Sequence, residues 1–357
     1  MERGAEKQWR PWAGGLYWGD AAGETKERVK RMDRKPFEMV VMGDSILWGQ
    51  GLYPAEKIHA RVADGLRQRG LTVTARLLAH SGAVIGTPEN AGEAVPLGGA
   101  YGGEVPVGNP TVFEQAQAAL KGAAADAETD LVLVGGGIND VDIGTLVNPL
   151  DVRLDERIEE AFYRRMKLLL EKVYHDFPNA VIVVTGYYVF FSDYSEANLA
   201  QAALKALGFN VPVMPERVSD QLLDLFITDR LIERFEHFYD YSEACLQRAL
   251  RELTEAVPEM RARVFYADPK FKPEHAIGAP ESLLFGINAD LSPQDPAVIA
   301  EGRARACEEH AAKLNPVQQL ACPRATVGHP NPAGAQRYAD AIMQQVRYAL
   351  PALFVDG

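Results

Sequence analysis

A serine, a histidine, an asparagine and several glycines recur here at places where a chain can expose them together. Val40-Val41-Met42-Gly43-Asp44-Ser45 is an apolar run that ends in a turn, with a helical pattern after it. A serine at the carboxyl end of a buried strand faces the edge where open α/β sheets bind ligands. Ser45 can then be a nucleophile, although the same tripeptide also suits a plain helix cap. His80-Ser81-Gly82-Ala83 follows the next strand-like run. Gly82 lets backbone approach a ligand and offers an unobstructed N–H. Gly135-Gly136-Gly137-Ile138-Asn139-Asp140 follows a third run, where Asn139 can aim an amide into the cleft or close an Asx turn. Gly328-His329-Pro330-Asn331-Pro332 precedes a helical pattern from Gln336 to Ala349. His329 there suits a general base for a serine, or an exposed loop position.

The elements that must position these groups alternate. Apolar or β-branched runs at Phe37–Met42, Leu71–Ala79, Asp130–Val134, Ala180–Thr185 and Arg263–Ala267 read as strands. Helical spacing covers 54–69, 113–125 and 155–175, the last with Ile158, Phe162, Met166, Leu169, Leu170 and Val173 on one face. Alternation of this kind predicts an α/β fold: a parallel sheet with helices on both faces. Continuous apolar strands agree, because a strand covered on both sides need not alternate. Residues 86–112 read as a Gly- and Pro-rich loop. Residues 1–35 form a charged N-terminal arm that holds Trp9, Trp12 and Trp18. The main domain spans 36–350. Within it, 193–257 read as a helical cap-like insertion, with Leu222, Leu225, Phe226, Ile232, Phe235, Phe238 and Tyr239 at helical spacing; the stripe itself reads as a packed core face or as a cap over the site.

Composition narrows the function. The chain of 357 residues carries 37 Lys and Arg against 49 Asp and Glu, for a net charge of -12. That field repels phosphate backbones and anionic membranes, so no nucleic-acid partner is expected. No apolar run reaches the ~18 residues of a membrane span. The charged start is followed by no apolar signal segment. The three cysteines, Cys245, Cys307 and Cys322, fit a reducing cytoplasm by their odd, low count, with a Cys307–Cys322 bridge left open. Gly-x-Ser-x-Gly, P-loop and His-Glu-x-x-His patterns are absent, and neither a metal nor another cofactor is expected.

In joint order, Gly43-Asp44-Ser45, Gly82, Gly137-Ile138-Asn139-Asp140 and His329 resemble the blocks of the SGNH hydrolases, the GDSL-like esterase/lipase family. The resemblance spans residues 37–349, although only these short blocks are diagnostic. It implies a flavodoxin-like three-layer α/β/α sandwich with a five-stranded sheet of order 2-1-3-4-5. It implies Ser45 as nucleophile and His329 as base. It also implies an oxyanion hole formed by the Ser45 N–H, the Gly82 N–H and the Asn139 side chain. The expected activity is hydrolysis of a small-molecule carboxylic ester through an acyl-enzyme. Acyl transfer on the same site and a non-catalytic binding protein are the alternatives. Trp48, Tyr187 and Tyr188, with Phe190 and Phe191, are expected at the substrate pocket or in the core. The sequence departs from the family at one place. Thr326 stands where an aspartate usually lies three residues before the histidine. It looks like those members in which a backbone carbonyl replaces the acid, which predicts a Ser45–His329 dyad; Asp268 is the remote alternative.

Overall fold

The computed structural model describes residues 35–90, 96–121, 129–148, 150–196, 220–288 and 290–354, with backbone alone at Asn90 and 220–228. The N-terminal tryptophans and the side chains of Leu222, Leu225 and Phe226 lie outside the described residues.

Five strands make one parallel sheet: β1 (Phe37–Met42), β2 (Val73–Leu77), β3 (Thr129–Val134), β4 (Val181–Thr185) and β5 (Val264–Ala267), in the order β2-β1-β3-β4-β5. The central strands are buried on both faces. Met39, Val41, Leu131, Leu133, Val181 and Val183 enter one apolar core. Their neighbours Val40, Met42, Val132, Val134, Ile182 and Val184 enter a second core on the other side. This is why those strands read as unbroken apolar runs: each face of the pleat meets a helix layer.

The helices are α1 (Ser45–Trp48), α2 (Ile58–Arg67), α3 (Val112–Ala119), α4 (Ile138–Val141), α5 (Ile143–Val147), α6 (Leu154–Ile158), α7 (Met166–Asp176), α8 (Asp220–Ala256), α9 (Ala297–Glu309), α10 (Pro316–Ala321) and α11 (Pro332–Ala349). A π-helical stretch, Glu159–Arg165, joins α6 to α7. The first core takes α2 and α11 and the second takes α3 and α7, so helices cover both faces.

The stripe in 193–257 belongs to this sandwich over its described part. On α8, Leu231, Ile232, Phe235, Phe238 and Cys245 are buried in the first core, and Leu246 and Leu253 in the second. From Leu231 onward α8 is the crossover helix between β4 and β5, packed on α7 and the π-helical stretch. That half of the stripe is a packed core face, one of its two readings; residues 197–219 lie outside the described residues. Among its described residues the loop expected over 86–112 holds only short turns, and α9 and α10 are further elements of the fold. Cys307 and Cys322 are joined in a disulfide, and Cys245 is free and buried.

Candidate active site

Ser45 is the first residue of α1, and Asp44 caps that helix by accepting the Ile46 N–H at 3.0 Å. An N-cap satisfies a helix donor that has no partner in the turn before it. The cap fixes the angle at which the chain leaves β1 and therefore where Ser45 points. Behind the turn, buried Gln115 holds Gly43 on both sides: its Oε1 accepts the Gly43 N–H at 2.7 Å, and its Nε2 donates to the Gly43 carbonyl at 3.0 Å. It acts as a strand partner where β1 has run out of strand. The sequence reading missed Gln115, because a glutamine inside an Ala-rich helix carries no signal of its tertiary partner.

His329 Nε2 lies 2.7 Å from Ser45 Oγ. The loop that carries the histidine is tied from several directions. Phe285 donates its N–H to the His329 carbonyl at 2.8 Å, and the Gly328 N–H donates to the Phe285 carbonyl at 2.7 Å. The Tyr188 hydroxyl donates to the Gly328 carbonyl at 2.8 Å. Asn331 caps α11 with its side-chain oxygen, accepting from the Ala333 and Gly334 N–H groups.

The imidazole is partly buried. Burial pushes its pKa down to about 4, and the Arg303 charge acts in the same direction. The Thr326 and Val327 carbonyls oppose the shift. Nδ1 is buried with no partner at hydrogen-bond geometry. Among the described residues no carboxylate acts on this ring. Thr326, at the usual acid position, is buried and directs its Oγ1 to the Gln50 carbonyl at 3.4 Å. Asp268 is not brought to His329; its Oδ1 accepts the Lys270 N–H at 2.7 Å.

Gly82 has a positive φ of 79°, and a Cβ there would lie 2.6 Å from the Pro106 carbonyl carbon. Any side chain would displace backbone, so the position demands glycine. Among the described residues, neither the Ser45 N–H nor the Gly82 N–H donates a hydrogen bond. Asn139 lies on α4 and donates Nδ2 to the Ala83 carbonyl at 3.0 Å, which ties it to the Gly82 loop. A primary amide has a second N–H to offer. Asp140 strengthens the same link: its Oδ2 accepts the Ile85 N–H at 2.9 Å, and its Oδ1 pairs with Arg165 at 2.9 Å.

Tyr187 and Tyr188 do not line an open pocket. Each is 6% exposed, with its hydroxyl spent inside the protein. Tyr187 donates to Asp44 and accepts the Ile138 N–H at 3.2 Å, so one ring joins the Ser45 turn to the Asn139 helix. Asp44 is fully buried, and burial raises its pKa to about 6 against the lowering effect of the Tyr187 hydroxyl. Trp48 is half-buried, with its Nε1 on Glu104 at 2.8 Å and the Lys57 ammonium 3.6 Å over its ring. Phe191 is buried, while Phe190 is partly exposed, stacked on Phe235 and pressed against Gly328. Among the described residues no group of His, Cys, Asp and Glu is placed to hold a metal ion. No helix among them is long and apolar enough to cross a membrane.

No protein-family model matches the chain, and no curated protein matches its sequence. Among solved structures it is similar to a phospholipase A1 from Streptomyces albidoflavus, with 14% identity and a TM-score of 0.45 over 87% of this chain and 99% of that one. It is similar to an extracellular lipase from Streptomyces rimosus, with 12% identity and a TM-score of 0.44 over 86% of this chain and 99% of that one. A family two carbohydrate esterase from Clostridium thermocellum gives 11% identity and a TM-score of 0.42 over 89% of this chain and 66% of that one.

Proposed function

We propose that this chain is a serine esterase of the SGNH type, acting on a small-molecule carboxylic ester. The observation that carries the reading is the 2.7 Å approach of His329 Nε2 to Ser45 Oγ at the carboxyl edge of a parallel sheet. Ser45 Oγ attacks the ester carbonyl carbon, and its proton passes to His329 Nε2. The carbonyl oxygen becomes an oxyanion, stabilised by the Ser45 and Gly82 N–H groups and by the Asn139 amide. Collapse of this intermediate expels the alcohol, which takes the proton from His329. Water then gives a proton to His329 and attacks the acyl-serine. The acid leaves and the proton returns to Ser45 Oγ.

Burial keeps His329 neutral at pH 7, which is the form a base needs. The Thr326 and Val327 carbonyls are the dipoles on its Nδ1 side, in place of a carboxylate. The first test is labelling with a fluorophosphonate, followed by mass mapping of the modified peptide. Ser45 should carry the adduct, and Ser45→Ala should carry none. Failure of wild type to label, or labelling of another serine, overturns the reading. Water is the proposed acyl acceptor; product analysis with added alcohols reveals acyl transfer if an alcohol displaces it.

A further inference from the structure

Two side chains one turn apart on α9 reach the loop that carries His329. Arg303 Nε donates to the Pro323 carbonyl at 3.1 Å, and Cys307 is bonded to Cys322. Their i, i+4 spacing puts them on one face of the helix. From residue 322 to His329 the chain is a succession of tight turns: Ala325 N–H to the Cys322 carbonyl, Val327 N–H to that of Arg324, and His329 N–H to that of Thr326, each within 3.1 Å. A backbone closed on itself in this way transmits the position of its anchor to its end.

The same Arg303 faces the serine side. Its guanidinium is fully buried, paired with Asp295 at 2.7 and 3.2 Å and with Glu104 at 3.4 Å. Glu104 in turn holds the chain leaving α1. Its carboxylate accepts Trp48 Nε1 at 2.8 Å and the Gly51 N–H at 3.1 Å, and its carbonyl accepts Gln50 Nε2 at 2.9 Å. Thr326 Oγ1 reaches the Gln50 carbonyl from the histidine loop. Ser45 and His329 are 284 residues apart in the chain. Buried charges are costly, so a buried arginine with two carboxylates is weak evidence for stability and better read as a registry device. A hydrogen-bonded arginine fork also has little positional freedom.

We infer that Arg303, with Glu104 and Asp295, is a positioning residue that sets the separation of Ser45 Oγ and His329 Nε2. The disulfide Cys307–Cys322 braces the same loop from the next turn of α9. The inference rests on the proposed esterase reading. It assigns to an ionic clamp the orienting work that a carboxylate on the histidine would otherwise do. Arg303 is also the charged group that acts on His329, so its removal carries an electrostatic signature besides a geometric one.

The test uses the full chain. A single change such as Arg303→Met leaves two buried carboxylates unpaired and invites misfolding. The variant Glu104→Gln/Asp295→Asn/Arg303→Met removes the charges together and is the principal probe. Its fold is checked by circular dichroism and a thermal melt. With a short neutral ester, kcat should fall about 10²-fold with KM little changed, because misplacement by about an ångström is that expensive. The acid limb of kcat/KM should move to higher pH; hydration of a loosened site would move it the same way, so the charge-keeping Arg303→Lys is the control. Arg303→Lys, which keeps the charge, should retain the wild-type acid limb while losing turnover. A folded triple variant with wild-type kcat and acid limb overturns the inference. Should the triple variant not fold, Arg303→Lys decides: a several-fold fall in kcat with KM unchanged supports the clamp, and unchanged turnover overturns it. Fluorophosphonate labelling of wild-type Ser45 separates the two levels. Without it the esterase reading fails; with it, and with variants that turn over at the wild-type rate, only the clamp fails.

Discussion

Replacing Asp44 by Asn separates the two groups that titrate beside the reacting hydroxyl. Asp44 rises from 3.8 to about 6 and His329 falls from 6.5 to about 4, in both cases chiefly by burial. Each displacement corresponds to about 3 kcal/mol between the two protonation states. The signs are opposite in effect. His329 is held neutral, so its contribution to stability is complete above 6.5 and is lost as pH falls through about 4. Asp44 is held protonated, so its contribution is complete below 3.8 and is lost as pH rises through about 6. Wild type at pH 7.5 therefore carries an ionised buried carboxylate that Asp44→Asn does not. The stability difference between variant and wild type should grow in the variant's favour by up to about 3 kcal/mol from pH 3.5 to 7.5, whatever constant loss the amide brings at the cap. Urea unfolding at a series of pH values measures it. In the same variant, kcat/KM on a neutral ester reports the free enzyme's base without interference from Asp44. Activity should rise with pH through about 4. An acid limb at or above 6.5 would refute the reasoning, because it requires a carboxylate or open solvent on the histidine.

Asp268→Asn should leave kcat within a few-fold of wild type while His329→Ala removes activity; a loss of about 10⁴, as for a triad aspartate, would instead make Asp268 the acid. Asn139→Ala should lower kcat by ~10²–10³ with little change in KM, measured by steady-state kinetics on one ester. Tyr187→Phe strips Asp44 of its hydroxyl donor in a buried site, at about 1–3 kcal/mol, and a melt with unchanged midpoint would show that the bond contributes nothing. Phe235→Ala should destabilise the fold by about 3–5 kcal/mol, as a core residue does; a cap residue would shift ester preference and leave stability intact.

Much of the architecture was legible in residue order. Unbroken apolar runs such as Val181–Thr185 require cover on both faces, and their alternation with helical spacing leaves little besides a parallel α/β sheet. The turns after β1, β2 and β3 declared Ser45, Gly82 and Asn139 because glycine, serine and asparagine are the types that serve both a tight turn and a ligand edge. His329 stood out by its place before a Pro-started helix. Local patterns of this kind carry their own signal, since their cause lies within a few residues.

What joins those blocks does not lie within a few residues, and only the tertiary structure decided it. Tyr187 and Tyr188 suited a pocket or the core until folding buried them and turned their hydroxyls onto Asp44 and Gly328. Phe235 and Phe238 suited a core or a cap until α8 was seen lying against the sheet's own helices. Gln115, Glu104, Asp295 and Arg303 gave no warning, because a polar residue in a helix or loop is ordinarily solvated. Their roles come from partners 72 residues away for Gln115 and Gly43, and 199 for Arg303 and Glu104. A buried polar group must find a partner wherever the fold provides one, and sequence periodicity records burial but not the identity of that partner.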